Sequence, residues 1–309
     1  MEDLLASVVV PVRNGGADVP ELVAALAAQT VPRERFEVVI ADDGSTDGSL
    51  TGLEAHEGWL RVLLGRPRNS YAARNSGLRA AGAPVIAFCD IDCRPEPAWL
   101  AAGLAALAQA DIAAGEVRFT VPERPTTFML LDADSSLDHA AQVTIGKGST
   151  ANLFVRRDLL ERMGGFDDRL PSGGDWELVT RCVSDGARLV YAPDAVVTHP
   201  VRGGRAYLRK VWFRSRWAAT RGALVGGRPD LLAALLPPAR MVQFRRRSGR
   251  SLALDRARLR DHGTTPTGWQ QAAALGARYV LVPGLTYVAR LWGWIDGLRL
   301  RRAGRSTSR

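Results

Sequence analysis

The sequence predicts an α/β protein, with a mostly parallel sheet covered by helices on both faces and a basic helical region after it. Strand-like and helical segments alternate four times within about the first ninety residues, which is typical of such a sheet. Acidic residues follow several of the strand-like runs. Near residue 203 the composition shifts to Arg, Leu, Ala and Trp in helical patterns, so we place a domain boundary there, between 1–203 and 204–309.

The elements of the first domain follow from the spacing of its apolar residues. Short β-branched runs predict strands, and apolar residues that recur every three or four positions predict helices. The predicted strands cover 7–11, 36–41, 60–64, 84–89, 112–119, 151–155, 188–191 and 195–198. The predicted helices cover 19–28, 49–56, 71–81, 97–108, 158–163 and 175–184, and the segment 122–147 is expected to form loops and a short helix along one wall of a site.

Composition and charge narrow the class of protein. A chain of 309 residues with 46% apolar residues can bury a large core, which excludes a disulfide-stapled miniprotein and a disordered chain. Residues 1–200 hold 18 basic and 28 acidic side chains, a net charge of −10, whereas 201–309 hold 23 and 4, a net charge of +19. The two parts of the chain therefore need different electrostatic roles.

Cysteine usage and the N-terminus favour a cytoplasmic protein. The three cysteines lack metal-ligand spacing and are expected to be reduced thiols: Cys89, Cys93 and Cys182. The N-terminus has no signal-peptide pattern, so no export is expected. Apolar stretches such as 231–244 and 272–295 are interrupted by Arg or Pro before the roughly 18 residues that span a bilayer. We therefore expect no spanning helix, and peripheral binding to the inner face of the membrane stays open.

Two acidic clusters follow predicted strands, at the edge of the sheet where α/β proteins bind ligands. Asp90 and Asp92, separated by one residue, suit a hard divalent cation such as Mn²⁺ or Mg²⁺, which takes oxygen ligands from carboxylates and phosphates. Asp42 and Asp43 are suited to accept hydrogen bonds from a nucleobase or from ribose hydroxyls. The alternatives are a solvated acidic turn at the first pair and helix capping by the residues that follow the second.

Seven short motifs occur in a fixed order along the first two hundred residues. They are Val8-Val-Val-Pro11-Val-Arg-Asn14, Asp42-Asp-Gly-Ser-Thr-Asp47, Ala73-Arg74-Asn75-Ser-Gly77, Asp90-Ile-Asp92, Thr150-Ala-Asn152-Leu-Phe-Val-Arg156, Gly164-Gly-Phe166-Asp167 and Gly174-Asp175-Trp-Glu177-Leu. In these motifs and their order the chain, from about residue 5 to 200, resembles the family-2 glycosyltransferases. The resemblance implies a GT-A fold, a nucleotide-diphosphate sugar donor, a divalent cation, and sugar transfer to an acceptor hydroxyl with inversion at the anomeric carbon.

The same resemblance implies roles for individual residues. Six residues would contact the nucleotide, with Asp42 reading the base and Asp90 on the ribose side: Pro11, Asn14, Asp42, Asp43, Arg74 and Asp90. Asp92 would be the more direct metal ligand. Asp175 falls where the family has its catalytic base. One base suffices for inversion, because it removes the proton of a hydroxyl that attacks opposite the leaving diphosphate.

The base motif departs from the family pattern. It often begins with Glu-Asp, whereas this chain has Gly174 before Asp175, so that Asp175 would act without the first acid. Glu177 is the alternative base, although we expect it to pair with Arg181 one helical turn along. The missing acid also raises a rival function, a catalytically inactive module that only binds a sugar nucleotide.

Five further residues have roles that the sequence leaves open. His199 ends a predicted strand where related GT-A enzymes place a third metal or diphosphate contact, and a structural role is the alternative. Arg202 and Arg205 either close over the diphosphate or begin the basic region. Trp176 and Trp99 are placed to stack on a sugar, although core packing is the commoner role of such residues.

The C-terminal region alternates apolar stretches with Arg clusters at 245–247, 256–260 and 299–302. This pattern suits an interfacial helix on anionic lipid, with 281–294 as the best candidate for shallow insertion, and a packed helical subdomain is the alternative. Nucleic-acid binding is not expected, because the Arg residues lack a recognisable reading module. Phe213 replaces the Gln of the Gln-x-x-Arg-Trp motif of processive membrane synthases, which argues against polymer synthesis with secretion.

The leading hypothesis is a metal-dependent glycosyltransferase whose acceptor is a glycan, a lipid-linked molecule or a small molecule. An NAD(P)-dependent oxidoreductase is disfavoured because the segment after the first strand, 12–16, lacks the GxGxxG pattern. A sugar nucleotidyltransferase is disfavoured because the same segment is a poor match to a Gly-rich loop that carries Lys or Arg. The sequence leaves the base, the sugar and the acceptor undetermined.

Overall fold

The computed structural model describes residues 4–53, 58–135, 137–224 and 254–306. The chain forms two compact units. The first unit comprises Met1–Phe119, Leu137–Asp168 and Gly174–Pro200, and the second comprises Thr120–Ser136, Arg169–Gly173 and Val201–Arg309. Two short segments that precede residue 203 thus belong to the second unit, and the domain boundary near that residue stays a prediction.

An eight-stranded sheet forms the centre of the first unit. Its strands are β1 (Ala6–Val12), β2 (Phe36–Asp42), β3 (Leu60–Leu63), β4 (Val85–Cys89), β5 (Arg94–Pro95), β6 (Ile112–Thr120), β7 (Asn152–Arg156) and β8 (Leu189–Pro200). They lie in the order β3-β2-β1-β4-β7-β6-β8-β5. The pairs from β3 to β4 are parallel, whereas β7 is antiparallel to β4 and β6, and β5 to β8. The predicted α/β fold is confirmed, with antiparallel strands beyond β4.

The helices alternate with these strands and continue into the second unit. They are α1 (Asp18–Ala27), α2 (Ser70–Ala80), α3 (Trp99–Ala106), α4 (Thr127–Ser135), α5 (His139–Val143), α6 (Arg157–Arg162), α7 (Gly174–Ser184), α8 (Gly204–Leu224), α9 (Arg256–Asp261), α10 (Gly268–Gly276) and α11 (Val282–Ser306). The side chain of Asn69 caps α2 by accepting from two backbone N–H groups. Gly77 lets α2 approach the sheet, because a Cβ there would clash with Val9.

The core of the first unit is made of β-branched and aromatic side chains from the central strands. Trp99 is fully buried, and its ring lies 5.0 Å from that of Phe154. Its Nε1 donates a hydrogen bond of 2.8 Å to Asn152 Oδ1, which satisfies the polar atom inside the core. Trp99 is therefore a core residue, and the alternative of sugar stacking is excluded for it.

Some predicted elements differ from those observed. Residues 49–52 form turns in place of the start of a helix over 49–56, because Gly48 and Gly52 have φ values of +72° and +89° that no right-handed helix permits. Residues 54–56 of that prediction lie outside the described residues. The two strands predicted over 188–198 form the single strand β8, and the segment 122–147 contains two helices, α4 and α5.

The second unit is helical in its described part, as the composition predicts. Helix α8 packs along α11, and Arg216 on α8 donates a hydrogen bond of 2.7 Å to Asp296 on α11. A π-helical stretch, Ala277–Leu281, joins α10 to α11. The predicted apolar stretch 231–244 and the Arg cluster 245–247 lie outside the described residues.

One helix corrects the expectation that every apolar stretch is too interrupted to span a bilayer. Gly268–Arg299 is a continuous helix of 32 residues, long and apolar enough to cross a membrane by length and composition. Pro283 is tolerated because it lies two positions after the end of the π-helical stretch, where the regular hydrogen-bond pattern is already shifted. One such helix is weak evidence for a membrane span, since the core helix of a soluble protein passes the same test.

Candidate active site

Two carboxylates stand at the end of β2 and are only 7% exposed each, Asp42 and Asp43. Asp42 Oδ1 accepts a hydrogen bond of 2.9 Å from the N–H of Ser45, which closes the following turn. Asp43 Oδ1 accepts one of 2.7 Å from the N–H of Arg68. Backbone donors therefore fix both side chains while leaving carboxylate lone pairs for a ligand.

The loop after β1 is tied to this turn by a polar residue. Asn14 has a φ of +55°, a left-handed conformation that asparagine tolerates better than most residues. Its N–H donates to Ser45 Oγ at 2.9 Å, and its Oδ1 accepts from the Thr46 N–H at 2.8 Å. Pro11 is buried on β1, paired in register with Ala41 of β2. The loops after β1 and β2 thus form one polar rim.

Arg74, only 5% exposed on α2, links that helix to the acidic residues after β4. Its Nη2 donates a hydrogen bond of 2.5 Å to Asp90 Oδ1. Its buried Nε has no hydrogen-bond partner among the described residues. A buried N–H without an acceptor is costly, so this atom favours an anionic or polar ligand at the same place.

Asp92 is turned the other way, towards His199 at the end of β8. His199 Nδ1 lies 2.6 Å from the carbonyl oxygen of Pro200 and must carry a hydrogen to donate there. Its Nε2 lies 3.3 Å from Asp92 Oδ2. The imidazole nitrogen and the carboxylate oxygen thus face each other at a distance that allows both to bind one cation.

The Asp92 and His199 pair fits the donor set of a divalent metal. Their ligand atoms and Cys93 Sγ lie within 4.8 Å of one another. Cys93 is fully buried, and its thiol lies 3.6 Å from the carbonyl oxygen of Ala151, as a weak donor. Mn²⁺ and Mg²⁺ both prefer oxygen ligands over sulfur, and Mn²⁺ also accepts imidazole nitrogen. Asp92 and His199 therefore suit these ions as ligands, whereas the thiol of Cys93 does not.

Asp175, in the first turn of α7, is positioned by its neighbours. Its Oδ1 accepts hydrogen bonds from the Trp176 N–H at 2.9 Å and from the Tyr71 hydroxyl at 3.5 Å. Burial, followed by the charge of Asp175, raises the pKa of Tyr71 to about 12, which keeps the phenol protonated as a donor. A Cβ at Gly174 would lie 2.9 Å from the Tyr71 ring, so the glycine makes room for that ring.

Tyr71 also connects Asp175 with Asp90, through Arg74. The guanidinium carbon of Arg74 lies 5.7 Å from the centroid of the Tyr71 ring, within the range of a cation–π contact. The contacts therefore run from Asp175 through Tyr71 and Arg74 to Asp90. Sequence reasoning missed Tyr71, although it lies three positions before Arg74 and so on the same face of α2.

The side chains of the other two candidate site residues at the start of α7, Trp176 and Glu177, contact residues other than Asp175 and Tyr71. Glu177 binds Arg181 through both carboxylate oxygens, at 2.9 and 3.0 Å, and the predicted pairing is confirmed. Trp176 donates from Nε1 to Ser149 Oγ at 3.3 Å, and Lys147 Nζ lies 4.2 Å from its ring centroid. Glu177 is thus held by a cation one turn along, while Asp175 is held by neutral donors.

Arg202 and Arg205 belong to the second unit. The N–H of Arg202 donates a hydrogen bond of 3.0 Å to Asp132 Oδ2, and Arg205 is exposed near the start of α8. Asp132 is fully buried and also accepts from Lys210 Nζ at 2.7 Å. The two arginines are therefore parts of a basic cluster around α8.

Solved structures define the class of fold. A mannosyltransferase from Pyrobaculum calidifontis, PcManGT, solved with GDP-Man and Mn²⁺, matches with a TM-score of 0.62 at 19% identity, over 96% of this chain and 88% of that one. TarS 1–349 from S. aureus, solved with UDP-GlcNAc, matches with a TM-score of 0.53 at 22% identity, over 98% and 92% of the two chains. The protein has a GT-A fold.

The sequence identifies the family within this class. Residues 7–164 match the family model described as glycosyl transferase family 2, and the chain belongs to that family. The glycosyltransferase AglE of Haloferax volcanii is 30% identical over 269 residues, which cover 80% of this chain and 86% of AglE. The pre-mycofactocin glycosyltransferase of Mycobacterium tuberculosis is 31% identical over 210 residues, 63% of this chain and 43% of that protein. The protein is a glycosyltransferase.

Proposed function

We propose that the first unit transfers a sugar from a nucleotide-diphosphate donor to an acceptor hydroxyl, with inversion and with a divalent cation. The observation that carries the proposal is the series of contacts from Asp175 through Tyr71 and Arg74 to Asp90, beside the Asp92 and His199 pair. The candidate base Asp175, the buried side chain of Arg74 and the candidate metal ligands then lie along the carboxyl edge of one sheet, where α/β proteins bind their ligands.

The donor would lie along the ends of β1, β2 and β4. Asp42 and Asp43 offer carboxylate oxygens to base and ribose hydroxyls, with Pro11 and Asn14 beside them. The guanidinium of Arg74 would hold the ribose-side carboxylate of Asp90 and meet the nucleotide through its buried Nε. The ligands in the structures of the two neighbours, GDP-Man and UDP-GlcNAc, support a nucleotide sugar as the donor class.

Asp92 and His199 would hold the divalent cation, Mn²⁺ or Mg²⁺. The facing carboxylate and imidazole leave the remaining ligand positions to water and diphosphate oxygens. When bound, the cation offsets the negative charge that develops on the leaving diphosphate. The Mn²⁺ in the structure of the mannosyltransferase supports a cation of this kind.

Asp175 would act as the general base. It takes the proton of the acceptor hydroxyl while that oxygen attacks the anomeric carbon opposite the diphosphate. The Tyr71 hydroxyl and the Trp176 N–H both donate to the same oxygen, Oδ1, and so orient the carboxylate. The Tyr71 ring occupies the space beside Gly174, so the glycine has a structural reason at this position. The missing acid is therefore a weaker reason to regard the protein as an inactive module that only binds a sugar nucleotide.

We further infer a cytoplasmic enzyme that works at an anionic membrane surface on a lipid-linked or membrane-proximal acceptor. The net charge of +19 in residues 201–309 supports this. So do large apolar side chains that are exposed along the helix Gly268–Arg299, among them Trp269, Val280 and Trp292. Salt-sensitive binding of the full chain to vesicles that contain phosphatidylglycerol would support this location, and no binding at low ionic strength would refute it.

The base assignment is tested by Asp175→Asn, with Glu177→Gln as the matched control. A panel of GDP and UDP sugars with Mn²⁺ first identifies the donor by thermal shift. In Asp175→Asn the transfer rate should fall by about 10²- to 10⁴-fold while the donor still shifts the unfolding temperature. Glu177→Gln should keep a rate near that of the wild type. Full activity in Asp175→Asn, or its loss in Glu177→Gln alone, would contradict the proposal.

A further inference from the structure

A basic cavity lies within the second unit, mainly against α8. Its volume is about 660 Å³, and it is lined by five cationic side chains and one aromatic ring: Arg202, Arg205, Arg209, Lys210, Arg214 and Phe213. Ser172 adds a hydroxyl to the lining. The proposed reaction of the first unit uses none of Arg209, Lys210, Arg214 and Phe213.

The spacing of these residues places like charges together. Arg205 and Arg209, and likewise Lys210 and Arg214, are four positions apart on α8, so each pair is adjacent on the helix surface. Like charges at this spacing destabilise a helix. Arg205, Arg209 and Arg214 are exposed, where their charged groups can reach a ligand that enters from solvent.

A carboxylate lies among the cations of the cavity. The buried carboxylate of Asp132 accepts from Lys210 Nζ at 2.7 Å and from the backbone of Arg202. Burial lowers the pKa of Lys210 to about 7, and the charge of Arg214 adds to that effect while Asp132 opposes it. The exposed side chains of Arg205, Arg209 and Arg214 are the cations that an anion entering from solvent would meet.

Phe213 gives the cavity an apolar wall. Its side chain is 44% exposed, and its ring lies 6.1 Å from that of Trp217. Arg216, by contrast, points to α11, where it binds Asp296 at 2.7 Å. Two nearby residues of α8 therefore have different contacts. Arg216 connects α8 to α11, and Phe213 lines the basic cavity.

We propose that this cavity binds the phosphate or diphosphate group of an organic ligand. Arg side chains present paired N–H donors that match phosphate oxygens, and the hydroxyl of Ser172 adds a neutral donor. Phe213 would contact the apolar part next to the phosphate. Binding here goes beyond the proposed function, because it needs neither the metal pair nor Asp175. Two sources supply this chemistry, the headgroup of a phosphorylated lipid and a free nucleoside diphosphate.

Calorimetric titration of the full chain with inorganic pyrophosphate tests the cavity. EDTA is present throughout, so that no divalent cation carries the anion to Asp92 and His199. The double variant Arg205→Gln/Arg209→Gln should raise the Kd at least tenfold, because each charge-assisted hydrogen bond is worth about that factor. The control Arg256→Gln/Arg260→Gln removes the same charge from exposed positions on α9 and should change the Kd less than twofold.

Two results would overturn the proposal. One is a wild-type chain that does not bind pyrophosphate. The other is an equal effect, or no effect, of the two double variants, which would leave only the overall charge of the chain as the cause of binding. The unfolding temperature of each variant is measured alongside, and because all four arginines are exposed it should stay close to that of the wild type.

Two further arms distinguish the source of the phosphate. Vesicles of phosphatidylcholine with phosphatidic acid are compared with vesicles containing phosphatidylglycerol at matched surface potential, and free UDP is titrated in EDTA. A preference for phosphatidic acid that Arg205→Gln/Arg209→Gln and Phe213→Ala both abolish assigns the cavity to a lipid phosphate. UDP binding that the same variants abolish, without that preference, assigns it to a nucleotide. If neither of these two patterns is observed, the result contradicts a phosphate site in the cavity.

Discussion

The two units use buried acidic residues in opposite ways. In the first unit, Asp42 and Asp43 accept from backbone N–H groups, and Asp43 Oδ2 also lies 3.9 Å from Nη1 of the half-exposed Arg13. In the second unit, Asp132 and Asp134 are fully buried and accept directly from the cationic groups of Lys210 and Arg278, at 2.7 and 2.5 Å. The same residue type thus pairs mainly with backbone donors in the first unit and with buried cationic side chains in the second.

This difference explains why the net charge of the whole chain is uninformative. The value of +9 averages an acidic region of −10 and a basic region of +19. The first suits a metal cation and sugar hydroxyls, and the second suits anions. The two pairs of acids differ in their main donors, which are backbone N–H groups for Asp42 and Asp43 and charged side chains for Asp132 and Asp134.

The largest expected effect is on stability and lies in the second unit. Asp132→Ala leaves Lys210 and the Arg202 N–H without their carboxylate, and should lower the free energy of unfolding by about 3 kcal/mol. The control Asp158→Ala breaks an exposed ion pair with Arg162 and should cost less than about 0.5 kcal/mol. Urea denaturation measures both. Equal losses would remove the distinction between the two uses of acidic residues.

The next effect concerns metal binding in the first unit. Asp92→Ala and His199→Ala should each raise the Mn²⁺ concentration needed for half-maximal donor binding by about 10- to 100-fold, because each removes one of two proposed ligands. Asp90→Ala, which breaks the contact with Arg74, should weaken donor binding with a smaller change in the Mn²⁺ requirement. An unchanged Mn²⁺ requirement in Asp92→Ala would contradict the metal assignment.

The free energy of unfolding should depend on pH through Lys210 of the second unit. Its pKa is lowered from 10.5 to about 7, so between these values the unfolded chain holds a proton that the folded chain has released. The contribution of this group to the free energy of unfolding therefore rises with pH above 7, by at most about 1.4 kcal/mol per unit. Urea denaturation from pH 6 to 8.5 should show the rise in the wild type and not in Lys210→Met. A rise of the same size in the wild type and in Lys210→Met would contradict the assignment of this pH dependence to Lys210.

The smallest effect tests how Asp175 is oriented. Tyr71→Phe removes the hydroxyl that donates to Asp175 and keeps the ring that fills the space beside Gly174. We expect kcat to fall about three- to tenfold with little change in KM, as for the loss of one hydrogen bond. A change confined to KM would assign Tyr71 to substrate binding instead.

The sequence predicts the features that depend on near neighbours. Short β-branched and apolar runs predicted the long strands of the sheet, except that β8 was expected as two strands, and the four-residue spacing predicted the pair of Glu177 and Arg181. The start of the helix over 49–56 was mispredicted because Gly48 and Gly52 adopt left-handed conformations, which composition alone does not reveal. Local patterns thus suffice where local geometry decides the structure.

Contacts between distant residues could not be predicted in this way. Tyr71 and Asp175 are 104 positions apart, and Asp132 and Lys210 are 78 apart. The weakly patterned segment 122–147 supplies Asp132, and in both cases the packing of the sheet or the helices sets the partner. The acidic site residues were found because they follow strands, and Arg74 and Asp175 were found through the family resemblance. The residues that orient them follow from tertiary structure.

The most direct test of the account is the stereochemistry of the first product. The central claim is that one carboxylate, Asp175, acts as base in a single displacement on a nucleotide sugar, which reverses the configuration at the anomeric carbon. Proton NMR of the product, recorded before any mutarotation or further transfer, gives that configuration from the anomeric coupling constant. The account predicts a product of inverted configuration relative to the donor. A product of retained configuration would contradict it.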